Sequence, residues 1–122
     1  MGTFYSHCVV QNHADRTQSV RIPKLLVDTG SEHTWIPEGS LRRIGVVQEK
    51  KGVPFLMANG QQITRNVGFA IVRVVEFFTI DEVVFAEKGD LALLGARTLE
   101  GLNLVVDARQ KKLVAAGPVP AA

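Results

Sequence analysis

The run Leu25-Leu26-Val27-Asp28-Thr29-Gly30-Ser31 carries one carboxylate out of an apolar stretch and into a tight turn. Three apolar residues before Asp28 read as a buried strand. Gly30 permits backbone angles that other residues adopt only with strain. Burying an unpaired charge is expensive, so an acid placed where a core strand ends needs a reason. The chemical reason is proton transfer, for which a positioned carboxylate is suited. The plainer reason is that Asp is a common turn residue and caps its own turn. Asp15, Asp81, Asp90 and Asp107 lack both the apolar approach and the Thr/Ser-Gly that follows. Ser31 and His33 invite a nucleophile-and-base reading, but neighbours two apart on an extended chain share a face without forming a triad. His7, His13, Glu32 and His33 show no paired ligand spacing, so no metal is expected.

A β framework must position this turn, and the sequence pattern predicts one. Residues 3–10 read as a strand, 11–19 as a polar loop and 20–28 as a second strand, with Pro23 marking an edge or bulge. Thr34-Trp35-Ile36 is a short extended piece. Pro37 opens a short helix over 38–44, which Gly45 ends. Residues 46–51 read as another strand. Val53 to Ala58, then Asn59-Gly60, then Gln61 to Thr64 read as a hairpin, Asn-Gly being the favoured pair for a two-residue type I′ turn. Its second arm continues over 67–74, and 77–85 supplies a further strand. Leu91 to Leu94 runs into Gly95 and a short helix over 96–101. A last hairpin joins 102–106 to 111–115. Many short strands with regular turn signals indicate an all-β domain.

Composition sets outer bounds. A chain of 122 residues suits one domain, residues 1–122, with a modest core. A hydrophobic content of 46% argues against disorder, and a net charge of +2 is too mild to point to nucleic acid. No apolar run is long enough to span a membrane, and Met1 to His7 lacks the basic start and apolar centre of a leader. Cys8 is alone, which excludes an intrachain disulfide and a Cys metal cluster and leaves a buried structural thiol. The expectation is a soluble cytoplasmic protein without cofactor.

Three elements in order carry a family resemblance. Leu26-Val27-Asp28-Thr29-Gly30-Ser31, followed by Thr34, resembles the active-site motif of aspartic proteases, hydrophobic-hydrophobic-Asp-Thr/Ser-Gly-Ala/Ser. The hairpin about Asn59-Gly60 lies where retropepsins place the flap that closes over substrate. Leu93-Leu94-Gly95, leading into Ala96-Arg97-Thr98-Leu99, looks like the second hydrophobic-hydrophobic-Gly element that precedes the family's C-terminal helix. The chain therefore resembles single-domain, retroviral-type aspartic proteases. It is also similar to the retroviral-like protease domain of the DNA-damage-inducible ubiquitin-receptor proteins. The resemblance implies an acid-protease half-barrel with one or two short helices and a flap hairpin.

It also implies a mechanism and a partner. Aspartic proteolysis uses two carboxylates that share one proton. This chain has one such Asp, so the resemblance implies a homodimer in which Asp28 meets its own copy. Asp28 would be catalytic, Thr29 would brace the two turns across the axis, and Gly30 would let backbone approach substrate. Ser31 would bond to the catalytic carboxylate, and Glu32 would accept from substrate main chain. His33 stands where retroviral enzymes carry a second Asp. Met57, Ala58, Asn59 and Gly60 would form the flap over the substrate, and Phe55, Leu56, Met57 and Ile63 would line the cleft. The retroviral Arg after hydrophobic-hydrophobic-Gly is replaced by Ala96, with Arg97 one place later; whether Arg97 partners Glu32 is open. The expected function is a homodimeric aspartic endopeptidase acting on peptides or proteins. The alternatives are a weak or inactive dimer of the same fold that binds peptide or serves assembly, and a structural dimer with a vestigial dyad.

Overall fold

Apolar residues at alternate positions build strands along most of this chain. A computed structural model describes residues 3–121. Met1, Gly2 and Ala122, the outermost residues of the expected domain, lie outside them. The elements run β1 (Tyr5–Gln11), β2 (Ser19–Val27), β3 (Thr34–Pro37), α1 (Glu38–Arg43), β4 (Lys50–Leu56), β5 (Gln62–Val74), β6 (Phe77–Ala86), β7 (Leu93–Leu94), α2 (Ala96–Leu102), β8 (Leu104–Asp107) and β9 (Lys112–Ala115). The all-β expectation holds: strands dominate and both helices are short. No helix among the described residues is long and apolar enough to cross a membrane.

One mixed sheet holds β1 to β7 in the order β1-β2-β7-β3-β6-β5-β4. β1 also pairs with β5, so the order closes on itself and leaves β4 as an added strand on β5. The short β7 lies between β2, to which it is parallel, and β3, to which it is antiparallel. β8 and β9 form a separate hairpin. Side chains alternate faces along a strand, so Leu25 and Val27 of β2 enter the main core while Leu26 turns to a second apolar cluster. Leu94, Ile36 and Val83 join the main core. Trp35, Val67, Val84 and Leu93 form the second one, and Phe55, Met57 and Ile63 pack on it from the β4–β5 hairpin.

Local chemistry explains the breaks. Pro23 falls where the β1–β2 register shifts between Ser6–Leu25 and Cys8–Ile22, so its missing N–H interrupts no ladder bond. α1 ends in a Schellman arrangement: the Gly45 N–H donates to the Arg42 carbonyl and the Val46 N–H to the Leu41 carbonyl, both at 3.0 Å. The strand expected over 46–51 does not form as such. Val46 is buried in the main core, its N–H on the Leu41 carbonyl, and the ladder starts only at Lys50. The hairpin is present, but its turn is not the two-residue type I′. The Gly60 N–H donates to the Met57 carbonyl at 2.9 Å, and Gly60, not Asn59, takes a positive φ, of 85°. This is a three-residue loop closed by a glycine bulge.

Cys8 is 1% exposed within the main core, and burial pushes its thiol up to about 12. The thiolate is the reactive form. Cys8 should therefore resist an aromatic disulfide reagent in the native protein and react promptly in denaturant, as followed by released thiolate absorbance. Fast labelling of the native chain would contradict this burial.

Candidate active site

β7 accompanies β2 for only two residue pairs, Leu26 with Leu93 and Val27 with Leu94. Asp28 then makes the last rung: its N–H donates to the Leu94 carbonyl at 3.0 Å. From the other side, the Val27 N–H donates to the Phe4 carbonyl at 3.0 Å. The chain turns immediately. Oδ1 of Asp28 accepts the Gly30 N–H at 2.9 Å, and the Asp28 carbonyl accepts the Ser31 N–H at 3.2 Å. The carboxylate thus shapes its own turn and stays half-buried. Gly30 does not use a left-handed angle. Its value is space, because a Cβ there would stand 3.2 Å from Asp28 Oδ1. The Ser31 hydroxyl donates to the His33 carbonyl at 3.1 Å rather than bonding to Asp28, which corrects the role expected for it. Thr29 is exposed.

A second support comes from the far end of the chain. The first N–H groups of any helix lack partners inside it. In α2 these are filled by the loop after Asp28: the Ala96 N–H donates to the Ser31 carbonyl at 2.7 Å and the Arg97 N–H to the Glu32 carbonyl at 3.0 Å. The Gly95 N–H donates to Thr34 Oγ1 at 2.9 Å. Thr98 Oγ1 donates to Asp81 Oδ2 at 3.1 Å. A hydroxyl has one proton to give, so in the buried Thr34–Thr98 pair Thr34 is the donor. A directed chain of bonds therefore runs from Gly95 through both threonines to Asp81.

Asp28, Gly30, Ser31, Glu32 and His33 line a cleft of about 720 Å³, facing Phe55, Leu56, Met57 and Ala58 of the hairpin. Asn59 and Gly60 sit at the hairpin tip outside this lining, as does Thr29, and Ile63 packs into the cluster beneath. The cleft wall is aromatic. The His33 ring meets Phe55 edge-on at 5.4 Å, and Trp35 lies against the same ring at 5.3 Å. Gly89, Asp90 and Leu91, from the segment between β6 and β7, complete the lining. Nothing in their local sequence marks them, since strand order alone brings them there. Leu93 had its signal in the Leu-Leu-Gly element.

Two charge clusters tie the parts together. Glu82 of β6 lies 3.0 Å from Lys50 Nζ, 3.5 Å from His33 Nε2 and 4.0 Å from an Arg97 nitrogen. Arg97 Nη1 also stands 3.2 Å from His33 Nε2. Arg97 thus joins Glu32 only through its backbone, and its side chain turns to Glu82. Across the cleft, Arg65 of β5 makes paired bonds to Asp90, 2.7 Å from Nε to Oδ2 and 2.9 Å from Nη2 to Oδ1. The Arg65 bond holds the Asp90 carboxyl below the usual carboxylate range, and the Lys50 bond does the same for Glu82. A lowered carboxylate stabilises the fold at neutral pH, and that contribution fades as pH falls through its folded-state pKa. Asp90→Asn should cost about 2 kcal/mol near pH 7, as for a hydrogen bond to a charged group. Urea midpoints of the two proteins should converge in acid, where Asp90 itself is protonated; a gap that stays constant down to about pH 2 would exclude the ion pair as its source.

His7, His13, Glu32 and His33 do not gather: among the described residues no three His, Cys, Asp or Glu side chains form a group that could hold a metal ion. No family model matches this chain, and no curated protein matches it at a significant level.

Proposed function

We propose that this chain is a homodimeric, retropepsin-like aspartic endopeptidase. The observation that carries the proposal is Asp28 itself: a carboxylate on the last rung of a core strand, bonded by the Gly30 N–H and lining a cleft opposite a hairpin. One chain supplies one such acid, and a two-fold axis at the exposed Thr29 turn supplies the other from a second copy. With one proton between the two acids, the ionised Asp28 takes a proton from water as the water oxygen bonds to the scissile carbonyl carbon. The protonated Asp28 gives its proton to the carbonyl oxygen. The tetrahedral diol then collapses: the C–N bond breaks, the proton taken from water passes to the leaving amine, and one diol hydroxyl returns its proton to the other Asp28 as the carbonyl re-forms, which restores the shared proton. The peptide lies extended, with main-chain bonds to the cleft walls and side chains alternating into its apolar pockets. The hairpin from β4 to β5 covers it.

Sedimentation at micromolar concentration should give twice the chain mass. An unbiased peptide library should be cut at internal bonds on the acid side of neutrality. A strict monomer, even with peptide bound, would sink the two-carboxylate mechanism. A folded dimer that binds peptides without cutting them would reassign the chain as a binding module.

A further inference from the structure

Charge in the cleft is one-sided. No Lys or Arg lines it. Of its carboxylates besides Asp28, Asp90 is already matched by the two bonds from Arg65. His33 lines the cleft, but its ring stands against Glu82 and Arg97, which lie outside the lining, and Lys50 is bonded to Glu82. Glu32 is different. It is exposed, it lines the cleft, and no cationic side chain lies within 4.0 Å of it among the described residues. Its main chain is fixed by the Arg97 N–H at 3.0 Å, so the carboxylate is presented from a set point. Trp35 and Phe55, packed on one another, line the same cleft. A lysine or arginine side chain suits that combination, with its stem along the aromatic wall and its charge at Glu32.

We infer that the cleft selects peptides with a basic side chain close to the bond that is cut, and that Glu32 is the selecting group; the inference rests on the endopeptidase reading. The departure behind it belongs to this chain, whose Arg97 side chain turns to Glu82 and leaves Glu32 uncompensated. An acidic side chain at the same place meets like charge and is disfavoured. Two-fold symmetry places a Glu32 on each side of the scissile bond.

The test uses peptides identical except at one position beside the cleaved bond, which holds lysine, norleucine or glutamate. Cleavage is measured with the wild type and Glu32→Gln. Binding of the same peptides is measured by calorimetry with Asp28→Asn and with Asp28→Asn/Glu32→Gln, so that affinity is read without turnover. Lysine should exceed norleucine by about fivefold in kcat/KM and in affinity, as for a partly exposed ion pair. Glutamate should fall below norleucine, and the lysine advantage should shrink as salt is raised. Both Glu32→Gln proteins should lose that advantage. Equal cleavage of the three peptides by the wild type, or a lysine advantage that survives Glu32→Gln, would overturn the selectivity and leave the endopeptidase standing. A lysine preference in binding without cleavage by the wild type would keep the selectivity and overturn the endopeptidase. Absence of both binding and cleavage would overturn both.

Discussion

Asp28→Asn is expected to lower kcat/KM by about three orders of magnitude or more, while the chain stays folded and dimeric. Positioned acid–base groups contribute on that scale, and this substitution removes the proton-carrying function from both copies at once. An amide can neither take a proton from water nor return one to the carbonyl. The fold tolerates the change because Asn keeps an oxygen where Oδ1 accepts the Gly30 N–H at 2.9 Å. The backbone bonds of Asp28 to Leu94 and Ser31 do not involve its side chain. In the proposed dimer, like charge between the two turns also falls, so dimerisation should hold or tighten. The wild-type activity should trace a bell against pH, since each limb reports gain or loss of the shared proton. Measuring kcat/KM across pH for both proteins, with circular dichroism as the check on folding, decides the matter. Wild-type rates in Asp28→Asn would end the assignment of Asp28 as catalyst.

The second large effect is structural and sits beside the first. Gly95→Ala should destabilise the chain by about 3 kcal/mol and impair cleavage even far below its melting temperature. Gly95 has φ −95° and ψ 175°, angles open to any residue, so conformation does not demand glycine here. Space does. A Cβ at this position would lie 2.3 Å from the His33 carbonyl oxygen and 2.8 Å from that of Glu32. Both are backbone atoms and cannot rotate aside. Relief must push the 32–33 segment away from α2, and the bonds from Ala96 and Arg97 to Ser31 and Glu32 stretch with it. Gly39→Ala is the contrast. A Cβ there meets nothing within 4 Å, and Ala in this first turn of α1 should add about 0.4–1 kcal/mol of stability by restricting the unfolded chain. Urea midpoints for the two variants should move in opposite directions; a neutral Gly95→Ala would refute the close-approach argument.

Local pattern was enough to place β2 and the turn after it. Leu25 and Val27 alternate into the core, and the first polar residue after them ends the strand. The β4–β5 hairpin was equally legible, but its turn geometry was not. Asn-Gly suits two kinds of hairpin, and here Asn59 keeps a negative φ and takes the Gln61 N–H on its side chain at 2.9 Å. The apolar residues at 46 and 47 signalled burial, yet only Val46 is buried, without a ladder, and Val47 is exposed. Gly30 and Gly95 showed that glycine is needed without showing why. In both cases the cause is a nearby oxygen rather than a backbone angle. Least legible were Glu82 and Asp90, whose partners Lys50, Arg97 and Arg65 lie far away in sequence. No window along the chain contains those pairs.

The insertion of Leu93–Leu94 between β2 and β3 has a temporal consequence. A nascent chain emerges from the ribosome with Asp28 long before Leu94, and until β7 arrives there is no last rung for the Asp28 N–H and no α2 to bind the Ser31 and Glu32 carbonyls. Contacts between distant segments form late because loop closure opposes them. The Asp28 turn therefore has no local precursor, and a half-made or half-folded chain has no assembled acid. On the endopeptidase reading proposed above, chemistry waits on completion of the whole topology, and a polypeptide meant to hold a water-activating carboxylate passes through its own synthesis without one.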